Sequence, residues 1–134
     1  MDNKDYAKII LDLTKTKEER IQAAFHLENT DNEEHIRALG KALITDTSPI
    51  VRHEFAFSLG ETGRADIAAK YLIYAIENDE NVFVRHEAIL ALATLGKREF
   101  IPFIKKFLNS DELEIAESAE IALQRLKSKR KDKF

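Results

Sequence analysis

A chain of 134 residues with 44% hydrophobic and 34% charged side chains has the composition of one globular domain able to bury a core, not of a disordered segment. A net charge of −3 argues against a generalised nucleic-acid surface, and the absence of cysteine removes disulfides, thiolate metal sites and a cysteine nucleophile. Residues Met1 to Asp5 lack the basic start of a signal peptide and no apolar run nears the ~20 residues that cross a bilayer, so a cytoplasmic protein is expected.

Two prolines, four glycines and apolar residues recurring at steps of three and four predict an all-α fold. Four helical hairpins are expected over residues 1–31, 32–63, 64–96 and 97–126, as one domain followed by a basic tail at 127–134. The first pairs Lys4–Leu13 with Lys17–Asn29, and the acids Glu18 and Glu19 suit the start of the latter. The second pairs Glu33–Thr45 with Pro49–Leu59. Between them Asp46-Thr47-Ser48-Pro49 is a stop-and-restart signal, with Ser48 as N-cap and Pro49 in the first turn. Gly60 and Gly63 are expected to bracket a break.

The third hairpin pairs Arg64–Glu77 with Asn81–Leu95 and is closed by Gly96. The fourth pairs Arg98–Leu108 with Asp111–Leu126, with Pro102 early enough in its helix to be tolerated. Past Leu126 the apolar rhythm stops. The basic tail reads as a frayed, solubilising helix end, with a contact to an acidic partner or nucleic acid as the alternative.

One stretch occurs twice: Val51-Arg52-His53-Glu54 and Val84-Arg85-His86-Glu87, 86 − 53 = 33 residues apart. The second helices share a frame that starts at Arg20, Arg52, Arg85 and Ala116, with small or apolar residues at the fourth and eighth places. A hairpin with that pattern leaves an apolar face in water unless a neighbour stacks on it. The architecture expected is an α-α superhelix, a solenoid of repeats resembling HEAT repeats.

At roughly 100° per residue from Val51, Phe55, Ser58 and Leu59 fall on the face toward the partner helix. His53 falls on the opposite side and Glu54 on a flank, and His86 and Glu87 repeat that placement. Phe57, Ile89 and Leu90 are expected to form an apolar rim beside them. Equivalent positions of neighbouring repeats line one surface, so two imidazoles with carboxylates point to iron, manganese or zinc. Polar surface within a repeat consensus is the competing reading. His26 and His35 lack repeat partners and read as surface or packing residues. No Ser-His-Asp order, glycine-rich phosphate loop or dinucleotide fingerprint occurs.

At Val84-Arg85-His86-Glu87-Ala88, at the separation of the two pairs, and at Glu114-Ile115-Ala116-Glu117-Ser118 followed by Ala122 to Leu126, the chain resembles the deoxyhypusine hydroxylase family. That family consists of HEAT-repeat di-iron monooxygenases built from two symmetric halves of four repeats, and the chain resembles one half. The resemblance implies that His53, His86 and Glu87 ligate one iron and that Glu54 contacts the substrate amine or stands behind a ligand. It implies O2-dependent hydroxylation of a lysine-derived amine on a protein substrate, with a homodimer supplying the facing half. A non-catalytic HEAT scaffold for protein–protein interaction is the alternative. A bilin-lyase-like protein is a weaker one, with no bilin-specific signal and no cysteine to hold a bilin.

Overall fold

The computed structural model of the chain describes residues 5–131. Among the described residues eight α-helices and one 3-10 turn follow one another: α1 (Tyr6–Ile10), α2 (Lys17–Leu27), α3 (Glu33–Thr45), α4 (Pro49–Glu61), α5 (Ala65–Asn78), α6 (Val82–Thr94), the 3-10 turn Arg98–Phe100, α7 (Ile101–Lys105) and α8 (Leu113–Lys131). No strand occurs among the described residues. The even-numbered helices stack on one another, α2 on α4, α4 on α6 and α6 on α8. The odd-numbered ones form a second layer, α1 on α3 and α3 on α5.

The helix starts are written in the sequence. Thr16 and Glu19 form a reciprocal capping box at α2, and Ser48 accepts from the Val51 amide with Pro49 opening α4. Asn32 and Asn81 cap α3 and α6. Between the layers lie Leu39, Leu43, Phe55, Leu59, Leu72, Leu92, Ile104 and Leu126, all essentially removed from solvent. Each such side chain contributes about 1.5–3 kcal/mol by burial. That is what holds hairpins that would be marginal alone.

Four departures from the sequence reading have physical causes. Helix α1 ends at Ile10, not Leu13, where the Asp12 carboxylate accepts from both the amide and the hydroxyl of Thr14 and offers the backbone a turn in place of helix. Gly60 is no break: it lies inside α4 and buried, where an added Cβ would stand 2.8 Å from Ala91 Cβ and 2.9 Å from Ala91 Cα. The absent side chain lets α4 and α6 approach closely, and the chain turns instead at Gly63, whose φ is +70°. The expected helix Arg98–Leu108 is a 3-10 turn followed by α7, because Pro102 has no amide to bond back to residue 98. Helix α8 continues through Lys131, past the boundary expected at Leu126, while the last three residues of the basic tail lie outside the described residues.

A ladder of ion pairs crosses the repeat boundaries. Arg20 on α2 bonds Asp46 (2.9 Å), Arg52 on α4 bonds Asp79 (2.8 Å), and Arg85 on α6 bonds Glu112 (2.9 Å). Each acid sits just ahead of the next even-numbered helix, so the arginine of the doubled motif is a structural tie.

Candidate metal centre

Helices α4 and α6 are adjacent and in register, so the third place of the repeat frame on one helix faces the second place on its predecessor. His53 on α4 thus meets Glu87 on α6, with Nε2 3.3 Å from Oε1. Its other ring nitrogen, Nδ1, lies 3.3 Å from Oε2 of Glu54. His53 and Glu54 are about one-third exposed and Glu87 is more enclosed. The Glu87 carboxylate, with Glu54 adding to it, holds the His53 imidazole above its ordinary value against the opposing effect of burial.

One repeat on, the same reach brings His86 to Ser118 on α8, whose hydroxyl meets Nδ1. His86 also lines a pocket of about 120 Å³ with Phe83, Glu114, Glu117 and Ile121. The expected site residues therefore fall into two groups: His53, Glu54 and Glu87 are in contact, and His86 is engaged by the next repeat. Among the described residues no three His, Asp or Glu side chains stand as a closed set for a metal ion.

The donors nevertheless fit a cation. Two ligands bound to one ion at roughly 2.1 Å and at a right angle lie about 3 Å apart, close to the separation of His53 Nε2 and Glu87 Oε1. Each imidazole is engaged through Nδ1, the usual arrangement of a metal-binding histidine that coordinates through Nε2.

The apolar rim is corrected. Ile89 is fully buried and Leu90 nearly so, while Phe57 is 38% exposed. An even-numbered helix packs on its hairpin partner and on both neighbours, so only a narrow strip escapes, and the wheel accounted for one partner. What stays exposed near the pairs is Phe57 and, beside His86, Phe83, with Phe25 and Ile121 at the places on α2 and α8 equivalent to Phe57. His26 stacks on Tyr6 with ring centroids 4.3 Å apart, and His35 lies 3.4 Å from the Thr30 hydroxyl, both as packing or surface residues.

Four stacked hairpins with caps at equivalent places, tied by a repeating ion-pair ladder, are matched by the family model for HEAT repeats over residues 36–124. The chain belongs to the HEAT-repeat family. Within HEAT-repeat proteins it is similar to deoxyhypusine hydroxylases. It is 41% identical to that of Schizosaccharomyces pombe over 105 residues, covering 78% of this chain and 32% of the relative. It is 33% identical to that of Danio rerio over 126 residues, covering 93% of this chain and 41% of the relative. The structure of human deoxyhypusine hydroxylase in complex with glycerol superposes with a TM-score of 0.88 at 26% identity, over 95% of this HEAT array and 44% of that chain. The chain thus spans well under half the length of these relatives.

Ser118 and Glu28 are the residues that sequence reasoning left without a role. Glu28 accepts from the buried Ser58 hydroxyl at 3.0 Å. A signal for Ser118 was available: it holds, in the fourth repeat, the place that Glu87 holds in the third.

Proposed function

We propose that this chain provides half of an iron-dependent hydroxylase centre acting on a lysine-derived amine of a protein substrate. A second copy of the chain supplies the facing half. The observation that carries this reading is the meeting of His53 Nε2 and Glu87 Oε1 across a repeat boundary. It occurs in a chain similar along most of its length to deoxyhypusine hydroxylases.

His53, His86 and Glu87 hold the iron. When bound, iron would activate O2, the oxidant, for hydroxylation of an aliphatic C–H. The protein's own part is placement. Glu54, one-third exposed beside His53, binds the cationic amine and sets which carbon lies at the centre. Phe57 and its row neighbours close the surface against water when two copies face each other. A twofold pair brings together four His-Glu pairs, and isologous dimers are the commonest assembly.

A HEAT scaffold without catalysis is the second reading. It is favoured by the lack of a closed three-member ligand set among the described residues. Elemental analysis after anaerobic ferrous loading, with mass in solution measured on the same sample, separates the two. The expected result is a dimer with about one iron per chain, two in the shared centre. His53→Ala and His86→Ala lose the iron. Glu54→Gln keeps it and loses affinity for the amine. A monomer that refuses ferrous ion removes the enzyme reading, and partner binding that survives replacement of both histidines establishes the scaffold.

A further inference from the structure

The fourth repeat carries Glu117-Ser118 where the two before it carry His-Glu, and so contributes no imidazole. Its serine is fully buried all the same, on the face of α8 that packs against α6. The Ser118 hydroxyl touches two groups, the Glu114 carbonyl one turn back and Nδ1 of His86. A carbonyl oxygen has no hydrogen to give, so the single hydroxyl proton of Ser118 is donated to Glu114. The contact with His86 is then made the other way: Nδ1–H donates to the serine oxygen. A neutral imidazole with its proton on Nδ1 carries its lone pair on Nε2. The hydrogen-bond chain from carbonyl to hydroxyl to ring thus fixes both the tautomer and the plane of His86.

We propose that Ser118 is a positioning residue for the metal centre, holding His86 as the Nδ1–H tautomer so that Nε2 is the nitrogen offered to the ion. This rests on the metal reading given above and adds to it a residue from a repeat without ligands. Glu54 meets Nδ1 of His53 as Ser118 meets Nδ1 of His86, so both imidazoles are held from the same side of the ring. The difference is charge. His53 is oriented by a carboxylate and His86 by a neutral hydroxyl that cannot itself compete for the cation.

The test uses the whole chain with two readouts: the ring-nitrogen NMR shifts of His86 in metal-free protein at alkaline pH, and ferrous ion affinity by anaerobic competition with a chelator. The parent is expected to show His86 protonated on Nδ1. Ser118→Ala moves the proton toward Nε2 and weakens ferrous ion binding about 10- to 100-fold, the usual effect of removing a group that orients a ligand. Ser118→Thr, which keeps the hydroxyl, restores both. Ser58→Ala, which deletes an equally buried hydroxyl bonded to Glu28, leaves both unchanged. A parent that binds ferrous ion while Ser118→Ala binds it equally well with the same tautomer overturns this inference alone. A parent that takes no ferrous ion overturns it together with the metal reading.

Discussion

Glu28, at the C-terminal end of α2, is a carboxylate held partly out of water beside two others. Burial raises its pKa above the ordinary carboxylate value, the Ser58 hydroxyl opposes that, and the charges of Glu61 and Glu54 add to it. A carboxyl whose folded pKa is raised binds its proton more tightly when folded. The stability it contributes is full below the unfolded value and is lost as pH rises through the folded one. Glu28→Gln keeps an acceptor for Ser58 and cannot ionise. The variant is expected to melt above the parent at pH 7, with the gap closing below the ordinary carboxylate range. Thermal melts at both pH values check this, and a variant that melts below the parent at neutral pH removes the argument.

The ladder that ties the even-numbered helices is graded along the chain. Side-chain exposure is 5% and 1% for Arg20 and Asp46, 11% and 8% for Arg52 and Asp79, and 18% and 49% for Arg85 and Glu112. The two aspartates take the Nε and Nη2 edge of their arginines, whereas the longer Glu112 takes the two terminal nitrogens. Arg85 Nε is buried without a hydrogen-bond partner among the described residues. Removing Arg20 strands a buried carboxylate, a change that costs on the order of 3–5 kcal/mol. Removing Arg85 leaves Glu112 in water, and the loss is about 1 kcal/mol or less. Urea unfolding of Arg20→Ala, Arg52→Ala and Arg85→Ala is expected to rank them in that order. Equal losses at the three rungs would show that burial does not set the strength of the ladder.

At the scale of the molecule, the surface that carries the His-Glu pairs also carries Phe25, Phe57 and Ile121, each between 38% and 47% exposed. Leu90, at the equivalent place on α6, is withdrawn to 8%. Under the proposed pairing these residues meet a second copy. Phe57→Glu is then expected to convert the dimer to a monomer, read as mass by light scattering. The melting temperature of the monomer changes little, because Phe57 is not part of the core. A dimer that persists in Phe57→Glu puts the contact on another face, and the four pairs do not then converge.

The chain's own pattern determined the class of fold, the number of hairpins and most helix starts. Those are set by local chemistry: Ser48 and Pro49 cap α4, and three- and four-residue spacing makes one face apolar wherever the helix is placed. The 33-residue recurrence likewise announced that His53 and His86 occupy equivalent positions. What a side chain faces across a repeat boundary is not local, and only stacking decided it. Stacking buried Ile89, turned Gly60 from a break into a point of close approach, and set Glu87 against His53. It also carried His86 to Ser118, a residue 32 positions away whose part is fixed by one proton and by which neighbour can accept it.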